Sequence, residues 1–328
     1  MPEALFPPLS LKELKTYSLK DRTSKVCQED FARPWQVGEP FRNFLDSLPS
    51  ILAAQDLRAV VGAIREAGEN RKTIHWAMGA HLIKVGLNPL LIDLMKKGLV
   101  SAISLNGAGV VHDSELAMVG RTSEDVDREL GGGTFGMARE TAEFLNQAIT
   151  RGAAQGLGLG RAVGEALLAG GFPYAETSLL AAAVSSGIPA TVHVAIGTDI
   201  IHLHPSMDPE ATGRATYRDF QTFCSVVQTL EGGVFLNIGS AVILPEIFLK
   251  AVTLVRNLGW PLKQITTVNF DFIRHYRPAT NVVRRPTLEG GRGYYLIGHH
   301  ELMIPLLAAA VLEGWGGEPA TDLKNDLK

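Results

Sequence analysis

Cysteine is nearly missing from this chain. Cys27 and Cys224 are its two thiols in 328 residues, far apart and without paired spacing. That excludes a disulfide scaffold, a dithiol redox motif and a cysteine-built zinc site, and it fits a reducing compartment. A basic surplus is missing too: 31 Lys and Arg stand against 34 Asp and Glu, a net charge of −3. Nothing there would neutralise a phosphate backbone, so nucleic acid is not an expected partner. Long apolar runs are missing as well. Residues 98–111 are too few to span a bilayer, and residues 233–255 are interrupted by Asn237, Pro245, Glu246 and Lys250. The first residues, Met1-Pro2-Glu3-Ala4, have neither the basic start nor the apolar stretch of a secretory signal. The expectation is a soluble cytoplasmic protein with no membrane partner.

Short signature motifs are equally scarce. The sequence contains no GxGxxG, no GxSxG elbow and no HExxH. No solenoid-length repeat or low-complexity tract is present. Gly131-Gly132-Gly133 follows no strand pattern and reads as a flexible loop, and residues 154–160 read as a connection between helices.

What the chain does have is a rhythm. Residues 1–50 are rich in proline and charge and read as an irregular arm, and 56–67 (DLRAVVGAIREA) have helical periodicity. From residue 70 short apolar runs alternate with longer helical patterns. Strands are expected at 73–78 (TIHWAM), 101–105 (SAISL), 190–196 (ATVHVAI), 233–238 (GVFLNI) and 264–268 (QITTV). Helices are expected at 88–97, 138–153, 161–169, 175–186, 217–230, 241–258 and about 301–313. Alternation without tight hairpins predicts an α/β fold with a Rossmann-like, doubly wound, mostly parallel sheet. The apolar strands fit a sheet covered on both faces. The expected organisation is a helical extension over 1–69, one dinucleotide-binding domain over 70–313 and a polar tail over 314–328.

In such a sheet ligands bind beyond the carboxyl ends of the strands. Gly79-Ala80-His81 follows the first strand, and Asn106-Gly107-Ala108-Gly109 follows the second, leading to Asp113 and Glu115. Thr198-Asp199 follows the third and Gly239-Ser240 the fourth. Small residues there let a ligand reach the backbone, and helix N-termini offer N–H groups to an anion. The loops at 79–86, 106–115 and 197–204 are therefore expected to line a pocket for a phosphate-bearing ligand, most simply a dinucleotide. Glycines also make tight strand–helix turns with no ligand, and that reading stays open. His112, His193, His202, His204, His299 and His300 fall near expected strand ends, close to Asp113, Glu115, Asp199 and Glu301. They read as polar pocket lining, with a metal-assisted site around His202 and His204 as the alternative. Arg277, Arg284, Arg285 and Arg292 read as a loop cluster, either solvated or holding a carboxylate or phosphate.

With these loops in view the chain resembles the deoxyhypusine synthase family. The likeness is distant but ordered, over roughly residues 70–312. It is carried by IHWAMGAHLIKVG at 74–86, VSAISLNGAGVVHDSE at 100–115, GIPATVHVAIGTD at 187–199, FLNIGSAVILPE at 235–246 and LMIPLLAAA at 302–310. The resemblance implies NAD as cofactor and a homotetramer with sites between paired subunits. It also implies aminobutyl transfer from spermidine through a lysine imine. By the same likeness Gly107, Ala108 and Gly109 face the cofactor, Asp113 or Glu115 binds ribose, Thr198 and Asp199 stand on the nicotinamide side, and Gly239 lies against the dinucleotide.

The departures fall on the chemistry. Where the family's catalytic lysine is expected the chain reads Asn281-Val282-Val283-Arg284-Arg285-Pro286, and arginine is no imine-forming nucleophile. The family's active-site histidine gives way near Leu244-Pro245-Glu246, an amine-binding aspartate gives way to His204, and an acidic residue gives way around His299-His300. The expectation is an NAD-dependent transferase or oxidoreductase acting on a small substrate other than spermidine. His204, His300 and Glu246 are its candidate catalytic side chains. The alternatives are the metal-assisted enzyme and a non-catalytic oligomeric nucleotide-binding protein.

Overall fold

The structure is a computed structural model that describes residues 5–316. The end of the expected polar tail, residues 317–328, lies outside the described residues. Phe41–Ser47 (α1) and Leu52–Glu69 (α2) precede the first strand, Ile74–Met78 (β1). His81–Lys84 (α3) and Asn88–Lys96 (α4) lead to Ala102–Asn106 (β2), and Gly107–Val119 (α5) starts directly from its end. Val126–Leu130 (α6), Arg139–Ala154 (α7), Leu159–Ala169 (α8) and Leu179–Ser185 (α9) come before Ala190–His193 (β3). Pro209–Gln228 (α10), Val234–Ile238 (β4), Ile243–Asn257 (α11) and Thr266–Asp271 (β5) follow. A π-helix at Pro278–Arg284, the strand Arg292–Ile297 (β6) and His300–Leu312 (α12) complete the order.

The six strands are all parallel, in the order β3-β2-β1-β4-β5-β6. The chain therefore winds outward from β1 to β3, crosses back, and winds outward again from β4 to β6. The direction reverses between β1 and β4, and that is where a doubly wound sheet opens a crevice at its carboxyl edge. Leu57, Val60, Val61, Ile64 and Ala67 make one buried stripe of α2. Arg65 donates to the carbonyls of Ala310 and Val311 (2.5 and 3.0 Å), so a fixed cation satisfies the end of α12. The outer edge of β3 is closed by α10. Asp219 accepts from Val192 N (2.7 Å), and Thr216 both accepts from Val194 N and donates to Val192 O. Side chains thus take the place of a next strand.

Several expectations need correction. Residues 106–115 are not a loop: Gly107 opens a 13-residue helix with Asn106 as its N-cap. Two early glycines and the run His112-Asp113-Ser114-Glu115 hide its periodicity, and most of it is buried, which erases an amphipathic pattern. His112 consequently lies in mid-helix, not near a strand end. β3 stops at His193 and β5 runs on to Asp271. β6 was not expected, because Arg292 drew it into the arginine loop. The expected helix at 175–186 is a short 3-10 turn followed by α9, and α10 starts at Pro209, capped by Asp208.

Candidate functional site

The carboxyl edge of the sheet brings together the turns after β1, β4 and β6. Gly79 N donates to Ile238 O (2.8 Å), and Gly239 N donates to Phe270 O (3.0 Å). A Cβ on Gly79 would strike the Gly239 carbonyl oxygen. Gly239 has φ +65°, and a Cβ there would sit 2.8 Å from Cε1 of His300. The small residues of these turns are thus required by one another. Asn237 fixes the second turn from beneath, donating to Ser240 O (2.8 Å) and to Asn269 Oδ1 (2.6 Å). Ser240 Oγ accepts from Leu244 N (3.3 Å) at the start of α11.

His300 is the buried side chain beside these turns, 1% exposed. Its Nε2 lies 3.3 Å from Phe270 O, which makes Nε2 the protonated nitrogen. Nδ1 is then a lone pair, buried and without a partner. The exposed ring of His81 is 5.4 Å away. Burial lowers the His300 pKa, against smaller opposing pulls from the Phe270 carbonyl and Asp271. His300 is therefore a neutral acceptor. Asp271, 2% exposed, closes β5 beside it, with His275 Nε2 at 3.6 Å. Tyr295 pins the following loop, accepting from His275 N (2.9 Å) and donating to Ile273 O (3.0 Å).

A second group lies over the end of β2. The Asp199 carboxylate rests on Gly107, where a Cβ would collide with it. Its side chain is 8% exposed, and burial pushes its pKa up to about 6. His202 follows in a 3-10 turn with its side chain 3% exposed, and its Nδ1 accepts from Gly197 N (3.2 Å) and Asp199 N (3.3 Å). The imidazole proton is thereby directed to Nε2, and burial lowers the His202 pKa. Asp199 Oδ2 and His202 Nε2 are both buried without partners. One is an acceptor and the other a donor.

Other expected site residues are held elsewhere. Asp113 is fully buried beneath α9, accepting from Ser178 Oγ (2.6 Å), Leu179 N (2.8 Å), Leu180 N (3.1 Å) and Asn88 Nδ2 (3.1 Å). Burial raises its pKa while those donors lower it. Glu115 accepts from the Thr122 and Thr141 hydroxyls at 2.5 and 3.0 Å. Neither carboxylate joins Asp199 or His300. His204 is half-buried and engaged with Ser206 (2.8 Å). Glu246 stands on the first turn of α11, accepts from Asn281 (2.8 Å) and is paired with Lys250 and Arg277, which hold its carboxyl below the usual range, Lys250 first. Ala80 and Ala108 sit at helix starts beside Gly79 and Gly107, and Thr198 donates to Ala195 O (2.7 Å). Among the described residues no group of three or more His, Cys, Asp or Glu could hold a metal ion. Sequence reasoning did not single out Asp271, His275 or Tyr295. Carrying the fifth apolar run three residues further would have placed Asp271 at the sheet edge.

No protein-family model and no curated protein sequence matches the chain. Solved structures do share its fold. AgrE, in its ternary complex with ornithine and NAD+, is 17% identical with a TM-score of 0.51, over 80% of this chain and 34% of that one. A putative deoxyhypusine synthase from Entamoeba histolytica is 12% identical with a TM-score of 0.49, over 88% of this chain and 99% of that one. The chain spans about a third of the length of the AgrE chain. At these identities the likeness is one of fold alone.

Proposed function

We propose that this protein is an NAD-dependent transferase or oxidoreductase that acts on a small molecule other than spermidine. The dinucleotide would lie along the carboxyl edge, from the β1–β4 crevice to the end of β2. The observation that carries this reading is the set of three buried, unpartnered polar atoms, Asp199 Oδ2, His202 Nε2 and His300 Nδ1, at that edge. Buried polar atoms lack partners rarely, and a ligand is one explanation when they lie along the carboxyl edge of a doubly wound sheet. NAD bound to AgrE, a chain of similar fold, adds support.

The residues fit such a group unevenly. The Asp199 carboxylate occupies the N-terminus of α5, so phosphates are better received beyond the Gly79 and Gly239 turns, which pack on each other. Asp199 and His202 offer an acceptor and a donor to a hydroxyl pair or an amide. Bound NAD would accept or return a hydride at its nicotinamide ring. His300, neutral and with its Nδ1 lone pair free, would accept a proton from a substrate hydroxyl or amine.

The lysine-imine route of the resembling family lacks its nucleophile. Asn281 lies in the π-helix, engaged with Glu246 and Arg285. Lys263 precedes β5, at the far end of the sheet. We therefore expect no deoxyhypusine formation, and intact mass of the acceptor protein after incubation with spermidine and NAD should show no aminobutyl gain. NAD itself should raise the melting midpoint by several degrees, since a ligand at one hundred times its Kd adds about 2.7 kcal/mol. Millimolar NAD and NADH that both leave the midpoint unchanged would sink the dinucleotide reading. The cytoplasmic setting and the homotetramer belong to the same proposal. The structural fact beside them is that no helix among the described residues is long and apolar enough to cross a membrane.

A further inference from the structure

The first part of the chain exposes an unusual amount of apolar surface. Leu5, Phe6, Leu9, Leu11, Leu14, Tyr17, Leu19 and Val26 are 53% to 86% exposed, and Phe31, Trp35 and Val37 continue the series. Scattered apolar residues on a surface are ordinary, but eleven large ones exposed within residues 5–37 point to an interaction site. The segment nevertheless has local order. Ser18 caps a short 3-10 turn by accepting from Lys20 N, and Asp30 caps another by accepting from Cys27 N. Its root is fastened. Ser50 N and Oγ donate to Asp30 O and Oδ1, and Arg33 donates to the Ser47 and Asp46 carbonyls. Arg58 of α2 holds the Leu45, Leu48 and Pro49 carbonyls next to that root. An anchored arm therefore carries apolar side chains that its own core does not cover.

The same chain displays a matching surface. Beyond the ends of β5 and β6, Phe272, Ile273, Tyr276, Ile297 and Leu302 are 49% to 73% exposed, with Phe272 stacked on His299. β6 is the outermost strand on that side, its residues partly open to solvent. α2 feeds β1 from the amino edge, so its first residues, and the arm's root beside them, stand at the carboxyl end of the sheet. α2 also packs against β6 and α12. Arm root and apolar patch thus share one end and one side of the molecule.

We propose that the arm over residues 5–37 lies across the β5–β6 end of a second copy of this chain, reciprocally, as a two-fold clasp. The amount of surface favours a second copy. The patch offers five large side chains at roughly 100 Å² each, about 500 Å², and an arm covers it with a like area, so two contacts bury about 2,000 Å² in all, the size of a stable interface. A two-fold axis satisfies both arms and both patches of one pair at once. The clasp does not depend on the dinucleotide reading.

The experiment is light scattering and sedimentation on the full chain and two variants: an arm variant, Leu9→Asp with Leu11→Asp and Leu14→Asp, and a patch variant, Ile297→Asp with Leu302→Asp. All substituted side chains are exposed, and circular dichroism and the melting midpoint check folding. Each variant alone should be shifted toward monomer by about 100-fold in Kd, near 2.7 kcal/mol. Mixed, they should form a heterodimer, because the arm variant keeps a patch and the patch variant keeps an arm. A second readout uses the unmodified protein. Cys27 is exposed, while Cys224 is buried with its thiol pushed up to about 11, so alkylation reports on the arm. Cys27 should react about 10-fold more slowly at tens of micromolar protein than at nanomolar. The proposal is overturned by a full chain that stays monomeric with Cys27 equally reactive throughout. It is also overturned by an arm variant that assembles like the parent, or by a patch variant that does so.

Discussion

Toward α2, α5 and α12 the strands present Ile74, Trp76, Met78, Ile103, Leu105, Val192, Val234, Leu236, Ile238, Val268 and Phe270, all at most 1% exposed and in one core. Toward α10 and α11 the same strands present His75, Ser104, Thr191, His193, Asn237, Thr267, Asn269 and Asp271, equally buried. One face is hydrocarbon. The other is mixed: Ala77 and Phe235 pack with Phe223 and Phe248 in a second core, and beside them runs a hydrogen-bonded layer in which His75 Nε2 meets Ser104 Oγ (2.7 Å), Ser104 meets Thr191 Oγ1 (2.6 Å), and Thr191 meets His193 Nε2 (3.1 Å). Phe223 of α10 covers both histidines, with ring centroids 4.8 and 5.2 Å away. The polar layer runs into the candidate site through Asn237, which holds the Ser240 carbonyl, and through Asp271. The two cores supply stability, and the polar layer orients the turns at the carboxyl edge at some cost in stability.

The largest expected effect tests the apolar face. Leu236→Ala removes a side chain with no exposure and should cost about 2–5 kcal/mol in urea unfolding. A smaller loss would mean that this face repacks and is not the close-packed side of the comparison.

Acid should strike the polar face. Burial lowers both His75 and His193 to about 3, with His193 adding to the shift of His75. Their folded pKa values lie below the unfolded value near 6.5, so the unfolded chain takes up their protons first. Their contribution is whole above pH 6.5 and is lost as pH falls toward 3. Asp199 and Asp219 have the opposite sign. Burial raises them to about 6 and about 7, so their contribution is whole below about pH 4 and is lost as pH rises through those values. From pH 4 to 7 the two sets oppose each other in the parent, so the test is the difference: the urea midpoint of a His75→Gln, His193→Gln variant should gain less with rising pH, or lose more, than that of the parent. Equal slopes would remove the histidines as the cause.

Ser104→Ala should cost about 1–3 kcal/mol, because His75 and Thr191 each lose a buried partner. Ser104→Ala with Thr191→Val should cost less than the sum of the two single changes, as residues of one network do not add. Additive losses would mean that the layer is a set of separate contacts.

Much of this architecture was legible before any coordinates. Apolar runs with β-branched residues placed five of the six strands, because parallel strands under helices have few ways to be polar. The exceptions explain what was not legible. TIHWAM and QITTV read as strands of a nearly all-apolar sheet, yet His75 and Thr267 face the polar layer, and side-chain direction follows only once the register is known. Asp113 looked like a ligand residue because it follows a glycine-bearing turn. Its four donors come from α4 and from residues 178–180, distant in sequence, and no local pattern announces them. Gly79 and Gly239 were legible as turns, but that each exists for the other is a fact of β1–β4 pairing.

The smallest expected effect on stability separates packing from function most sharply. Glu246→Gln removes the charge that pairs with Lys250 and Arg277 but keeps an amide-compatible acceptor for Asn281. The Glu246, Lys250 and Arg277 side chains are 34%, 58% and 51% exposed, so solvent screens the pairs and unfolding should shift by no more than about 0.5 kcal/mol. Glu246 lies outside both sheet faces, so neither the hydrocarbon core nor the polar layer should register its loss. If Glu246 takes part in chemistry, turnover of an identified substrate should fall by an order of magnitude or more while the urea midpoint stays put. Unchanged turnover with an unchanged midpoint would reduce it to a surface ion pair and leave His300, at the end of the polar layer, as the proton acceptor to test next.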